Sequence, residues 1–96
     1  MIKHIVMWKL AEENKEENLK KMKEILEGLR EKVLEIEHIE AGIDINRSEA
    51  AYDIVLYSSF RNKEDLATYQ KHPDHLEAAE FIKKVTTDRA VVDYEE

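Results

Sequence analysis

The sequence contains no cysteine, one proline and two glycines in 96 residues. Without cysteine the chain has no disulfide, thiolate metal site or thiol nucleophile, and this composition fits a cytoplasmic protein. No apolar run is long enough for a signal peptide or a membrane span, because residues 1–10 are interrupted by Lys3, His4 and Lys9. Basic residues are outnumbered by acidic ones, 15 to 22, giving a net charge of −7. We therefore expect neither a nucleic-acid partner nor docking on anionic membranes, since both need a basic surface.

Enough apolar residues are present, 43% of the chain, to form one hydrophobic core. The length predicts a single domain that spans residues 1–96. A domain of this size buries only a modest fraction of its surface when alone, so association with a second chain would stabilise it.

Apolar periodicity divides the chain into strand, helix, strand, strand, helix pair and strand. We expect strands over residues 2–10, 36–46, 52–60 and 86–94. A stripe at helical spacing follows the first strand and consists of Leu19, Met22, Ile25, Leu26, Leu29 and Val33. Two shorter helices should flank Pro73, with Leu66 and Tyr69 on the inner face of the first and with Leu76, Ala79 and Ile82 on that of the second.

Local signals also predict where elements begin and bend. Asn14 with Glu17 three residues later resembles a capping box at the start of the long helix. Gly28 is expected to let another backbone approach closely, and Gly42 to mark a β-bulge. Asn62 is expected to cap the helix that follows the third strand.

The order of elements is βαββαβ, which predicts an α+β, ferredoxin-like fold with a four-stranded antiparallel sheet. The helices cover only one face of that sheet. The first, third and last strands carry apolar residues on both faces, so something must cover the other face. A second copy of the chain is the simplest cover, and we predict a homodimer that forms a dimeric α/β barrel.

The most informative stretch runs from Tyr69 to Glu77 and holds two of the four histidines and the only proline. Pro73 suits the first position of a helix and disfavours helix in the residue before it. His72 and His75 are therefore expected near a helix start, with Tyr69 one turn earlier. Tyr and His both donate and accept hydrogen bonds, and His titrates near neutral pH. The alternative is a helix corner whose histidines only cap backbone groups.

His4 and His38 lie in predicted strands. His4 sits in an apolar row, where a histidine is commonly a hydrogen-bonded core residue. His38 shares a face with Glu40, Asp44 and Asn46, and we expect it to face solvent.

Four segments, residues 1–6, 52–54, 69–75 and 88–94, together resemble the stress-responsive A/B barrel (Dabb) domain family. The His-Pro-x-His corner and the final Asp-Tyr pair are the most specific of these features, and the resemblance covers essentially the whole chain. It implies a ferredoxin-like protomer and a dimeric α/β barrel. It implies function less clearly, since most members of the family have no assigned activity.

One branch of the family is a plant polyketide cyclase, olivetolic acid cyclase, which this chain resembles distantly. That enzyme closes a linear polyketide by an aldol-type condensation without a required cofactor. The resemblance implies catalytic roles for Tyr69 and His75 and an active-site role for His4. The cyclase's third-strand histidine has no counterpart, because Ile54 stands at that position.

Two functions follow from the sequence, and it leaves both open. In the first, the cavity of the barrel binds a small, partly apolar carbonyl compound or acid. His75 then takes a proton from the carbon beside the carbonyl, Tyr69 hydrogen-bonds the developing oxyanion, and His4 and His72 bind the substrate. In the second, the protein is a non-catalytic stress-responsive oligomer or ligand-binding barrel.

A metal site is a weaker alternative. His72 and His75 lie three residues apart and are followed by Glu77 and Glu80, but Pro73 restricts the geometry and no third ligand is evident. We therefore expect neither a metal nor a cofactor.

Overall fold

The computed structural model describes all 96 residues and contains four strands in one antiparallel sheet. The strands are β1 (Ile2–Leu10), β2 (His38–Ile43), β3 (Ile54–Phe60) and β4 (Thr86–Glu95), in the order β2-β3-β1-β4. The helices are α1 (Lys15–Gly28), α2 (Lys63–Lys71) and α3 (Pro73–Val85), and a short 3₁₀ helix spans Leu29–Glu31. This arrangement confirms the predicted ferredoxin-like βαββαβ fold. No helix has the length and apolar character needed to cross a membrane.

The hydrophobic core lies between one face of the sheet and the helices. Even-numbered residues of β1 and β3 point to this face and are buried, as Val6 and Phe60 illustrate with 1% and 0% exposure. From α1, Met22 and Leu26 pack into the same core. The period of two in the strands and the spacing of three to four in α1 therefore bring their apolar residues together.

The opposite face of the sheet has no helix over it. Here Ile5 lies between Tyr57 of β3 and Val92 of β4, and Met7 lies beside Val55. Met7, Val92 and Tyr94 of this face are exposed. We call it the open face, and it is the face whose apolar character the sequence predicted.

The predicted cap at the start of α1 is wrong. Asn14 lies in the left-handed region, with φ 54° and ψ 31°, and its side chain makes no capping hydrogen bond. An N-cap residue needs an extended backbone to aim its side chain at the next turn. Asn14 adopts the left-handed conformation instead because asparagine tolerates it better than most residues. The predicted cap of α2 is confirmed, since the Asn62 side chain accepts a hydrogen bond from the Asp65 N–H at 2.8 Å.

Neither glycine has the predicted role. The pairing of β2 with β3 runs without interruption through Gly42, and the irregularity in the sheet lies between Lys9 and Leu10 instead. A Cβ on Gly28 would meet no atom within 4 Å, so no backbone approaches it. β2 and β3 are also shorter than predicted, because the chain leaves the sheet after Ile43 and returns only at Ile54.

The inner face of α3 is predicted in part. Ile82 is buried and Ala79 is half-buried, as expected, but the face is rotated away from Leu76. Leu76, predicted to face inward, is 53% exposed, whereas Ala78 and Ile82 are buried. Because α3 begins at Pro73, the inward positions are His75, Ala78 and Ile82, spaced by three and four residues. This rotation turns His75 toward the core.

Candidate functional site

A cavity of about 300 Å³ lies between the helix-covered face of the sheet and the pair α2–α3. Eight of its 13 lining residues are hydrophobic, among them Val6, Trp8 and Leu56. The other five are His4, His75, Lys83, Thr86 and Arg89, and Tyr69, counted among the eight, adds a hydroxyl group. A mostly apolar wall with a few convergent polar groups is typical of small-molecule sites.

Larger concavities elsewhere on the surface lack this combination. One, of about 580 Å³, is also mostly apolar, with eight hydrophobic residues among 12, but no histidine lines it. The largest, about 1,070 Å³, is a groove beside the start of α1 in which only four of 16 lining residues are hydrophobic. Its Lys15 already pairs with Glu12 and Asp53. The smaller cavity under α3 is therefore the better candidate for a site.

His72 forms the corner between α2 and α3 and lies outside this cavity. Its extended backbone, with φ −62° and ψ 136°, ends α2 and places Pro73 at the start of α3. The Asp74 N–H donates to His72 Nδ1 at 3.1 Å, so the imidazole caps α3. The alternative that the histidines of this corner cap backbone groups therefore applies to His72.

His75 and Tyr69 line the cavity side by side. Their ring centroids are 4.5 Å apart, and Tyr69 is fully buried. Tyr69 Oη and His75 Nδ1 are both buried and have no hydrogen-bond partner in the protein. Buried polar groups nearly always have a partner, so two neighbouring exceptions in one cavity need an explanation.

Burial changes the proton affinity of both groups in directions that keep them uncharged. Burial raises the pKa of Tyr69, so the phenol remains a hydrogen-bond donor at neutral pH. Burial also lowers the pKa of His75, and the charges of His4, Arg89 and His72 act in the same direction. The Gln70 carbonyl opposes them, although it makes no hydrogen bond of normal geometry with the ring. At neutral pH the cavity therefore holds a neutral imidazole beside a neutral phenol.

His4 enters the same cavity from β1. It is 3% exposed, and its ring centroid lies 6.3 Å from that of Tyr69. Its Nδ1 donates to Asp93 Oδ1 at 2.5 Å, which confirms the expectation of a hydrogen-bonded core histidine. When the ring is neutral this bond fixes the tautomer, so that Nε2 keeps its lone pair. His38 lies on the surface next to Glu40, as predicted.

The structure therefore brings together three of the four predicted site residues, His4, Tyr69 and His75, while His72 lies outside the cavity lining. It adds Asp93, which pairs with His4, and Arg89, which lines the cavity; neither is among the site residues predicted from the sequence. Asp93 could have been found from the pairing of the first and last strands, because it lies directly opposite His4 in the β1–β4 register. No group of three or more His, Asp or Glu side chains is arranged to hold a metal ion.

Comparison with known proteins gives this geometry a context. The family model for the Stress responsive A/B Barrel Domain matches residues 2–96. The stress-response A/B barrel domain-containing protein DABB1 of Arabidopsis thaliana is 27% identical over 98% of this chain. The chain spans 46% of the length of that relative.

Two solved structures of similar shape are informative. A dimeric protein of unknown function with a ferredoxin-like fold, from Bacteroides fragilis, is 37% identical with a TM-score of 0.91, over 99% of this chain and 95% of its own. The hydroxynitrile lyase of Passiflora edulis has a TM-score of 0.86 over 97% of this chain and 90% of its own, and at 18% identity this likeness concerns the fold alone. On the match over residues 2–96, the chain belongs to the stress-responsive A/B barrel (Dabb) domain family.

Proposed function

We propose that the cavity under α3 binds a small, partly apolar carbonyl compound or acid and catalyses acid–base chemistry on it with the protein's own side chains. The observation that carries this proposal is the pair of buried, unpartnered polar atoms, Tyr69 Oη and His75 Nδ1. A buried polar group without a partner costs free energy. A ligand that hydrogen-bonds both groups would remove that cost, which supports a polar ligand at this point of an otherwise apolar cavity.

The chemistry follows from the protonation states. The neutral imidazole of His75 accepts a proton from the carbon beside the carbonyl, and the electron pair of that C–H bond forms an enolate. The Tyr69 hydroxyl donates a hydrogen bond to the enolate oxygen and stabilises its negative charge. His4, held by Asp93, orients the substrate through Nε2.

An aldol-type ring closure can follow within the same molecule. The enolate carbon attacks a second carbonyl and forms the new C–C bond. The proton held by the His75 imidazolium then passes to the oxygen of that second carbonyl, which returns His75 to its neutral state. These reaction steps balance in protons and electrons without a further reactant.

Hydroxynitrile lyase from Passiflora edulis has this fold and is an enzyme. Its likeness supports only the statement that such a fold can contain a catalytic cavity, because one fold hosts many functions. The second candidate function is a barrel that binds a ligand in the same cavity without turning it over. The capping bond of His72 favours this candidate, since it shows that part of the His-Pro-x-His corner has a structural task.

We further propose that the protein is a homodimer assembled through the open face. Exposed apolar side chains on this face, including Val92 at 58% exposure, are the type of surface that a partner covers. The Bacteroides fragilis protein, similar over nearly the whole chain, is described as dimeric. A sheet-to-sheet contact would close the two protomers into an α/β barrel.

A thermal-shift screen tests the proposed function. Purified protein is melted with small aromatic acids, β-keto acids and acyl compounds, and the His75→Ala variant is run in parallel. A compound that raises the melting temperature of the wild type and not of His75→Ala supports a site at His75, because ligands stabilise the state that binds them. Turnover assays on that compound then separate the enzyme from the binding protein. If no compound acts on the wild type and His75→Ala only melts earlier, the corner has a structural role alone.

A further inference from the structure

We infer that the ligand of this cavity carries a carboxylate and that Arg89, together with Lys83, binds it at the edge of the cavity. This inference rests on the proposed function, because it concerns the ligand of the same site. It adds the charge of the ligand and the orientation in which the ligand enters.

The charge of the cavity wall differs from that of the protein as a whole. The chain has 22 acidic residues and a net charge of −7. None of the 13 residues that line the cavity is acidic, whereas two of them, Lys83 and Arg89, are basic. A local excess of positive charge in an acidic protein favours an anionic ligand.

Neither basic residue is neutralised by the protein itself. The ion pairs formed by lysine and arginine involve Lys3, Lys15, Lys23 and Arg61. Lys83 and Arg89 form no ion pair with an acidic side chain. Asp88 precedes Arg89 in β4 but lies opposite Lys9, on the open face of the sheet. Asp93, on the same face as Arg89, is engaged by His4.

The position of Arg89 relates it to the proposed chemistry. Arg89 lies opposite Trp8 in the β1–β4 pairing, on the helix-covered face, and both residues line the cavity. Its positive charge contributes to the lowered pKa of His75, so its electrostatic field reaches the proposed base. A carboxylate at Arg89 would thus leave the carbonyl group of the same molecule near Tyr69 and His75. The planar guanidinium suits this task, since it binds carboxylates through two parallel hydrogen bonds.

The experiment compares two probes that differ only in charge: 4-oxo-4-phenylbutanoate, which has a ketone and a carboxylate, and its primary amide. Binding of each is measured by calorimetry to the wild type, to Arg89→Met and to Arg30→Met. Arg30 is an exposed residue of the 3₁₀ helix outside the cavity, so its variant controls for the loss of one positive charge. Melting curves verify that each variant is folded.

We expect the wild type to bind the acid more tightly than the amide. Arg89→Met should lower the affinity for the acid about tenfold, the effect of losing a charge-assisted hydrogen bond. The affinity for the amide should change by less than about twofold. Arg30→Met should bind both like the wild type. In Arg89→Lys, which keeps the charge and loses the planar fork, acid binding should lie between that of the wild type and Arg89→Met.

Two failures can be told apart. Equal binding of acid and amide to the wild type, or equal weakening by Arg89→Met and Arg30→Met, overturns the carboxylate inference and leaves the proposed cavity in place. Failure of both probes to bind the wild type contradicts the proposed function itself, because then neither the ketone nor the apolar part is recognised.

Discussion

His72 and His75 are three residues apart in sequence but have different environments. His72 accepts the Asp74 N–H and caps α3, whereas His75 is turned into the cavity beside Tyr69. The sequence suggested both histidines as site residues because it did not determine which positions of α3 face inward. Pro73 fixes these positions: the residue before it is extended and outside the helix, and the residue two positions after it faces inward.

The titration of His75 is the first prediction at the residue scale. Its protonation midpoint, followed by NMR of labelled histidine, should lie below the ordinary value of 6.5, because burial and the charges of His4, Arg89 and His72 oppose the imidazolium. Arg89→Met should move that midpoint upward. A midpoint at or above 6.5 in the wild type would contradict the buried environment described for this ring.

The same shift affects stability in a defined direction. Since the pKa of His75 is lower in the folded state than in the unfolded state, the unfolded chain binds the proton more readily between the two values. The contribution of the neutral His75 side chain to the free energy of unfolding is complete above pH 6.5. It is lost as the pH falls through the pKa that His75 has in the folded state. His75→Gln should therefore flatten the decline of stability on acidification, which urea unfolding at several pH values can measure.

At the scale of elements, the sequence predicted the type and order of the three α-helices and four strands, because apolar periods of two and of three to four residues mark most of them. It did not predict that the long helix ends at Gly28 and continues as a 3₁₀ helix over Leu29–Glu31. Most of its errors lie at ends and turns, and others concern the inner face of α3, where Leu76 is exposed, and Gly42, which forms no bulge. The Asn14 to Glu17 spacing matches a capping box, yet Asn14 is left-handed. Such local patterns do not determine backbone dihedrals, which depend on how the turn from β1 into α1 packs.

The cap of α3 yields a prediction for this scale. His72→Ala removes the acceptor for the Asp74 N–H and should lower the free energy of unfolding by about 1 kcal/mol, the usual cost of a lost N-cap. His72→Asn keeps a capping acceptor and should recover most of that loss. Ligand binding should be the same in both variants, because His72 does not line the cavity. Weakened binding at unchanged stability would instead give His72 the substrate-binding role predicted from the sequence.

The whole-molecule architecture was largely predictable. Helices can cover one face of the sheet only, and apolar residues on both faces of β1, β3 and β4 indicated a second covered face. The candidate site was less predictable, since His4, Asp93 and Arg89 come from opposite ends of the chain. Their meeting depends on the β1–β4 register, which places His4 beside Asp93 and Trp8 beside Arg89. A shift by one residue would turn Asp93 and Arg89 to the open face, and apolar alternation in β4 is too weak to exclude it.

Assembly is the prediction at this scale. Sedimentation should give twice the mass of the 11.3 kDa chain. Val92→Asp places a charge on the open face, in the edge strand β4 beside Ile5, and should produce monomers, since an unpaired buried charge is costly. Leu34→Asp, at a residue that is 94% exposed and outside the sheet, is the matched control and should remain dimeric. A wild type that sediments as a monomer at micromolar concentration would contradict the dimer.

The central claim is that Tyr69 Oη and His75 Nδ1 lack partners because they serve a ligand. The most direct test is Tyr69→Phe, examined for both unfolding free energy and affinity for a ligand of the cavity. The hydroxyl makes no hydrogen bond within the protein, so the variant should be as stable as the wild type or more stable. Its affinity should fall about fivefold, for one lost hydrogen bond of about 1 kcal/mol. A variant that loses stability while binding the ligand as the wild type does would contradict the claim and make Tyr69 a structural residue.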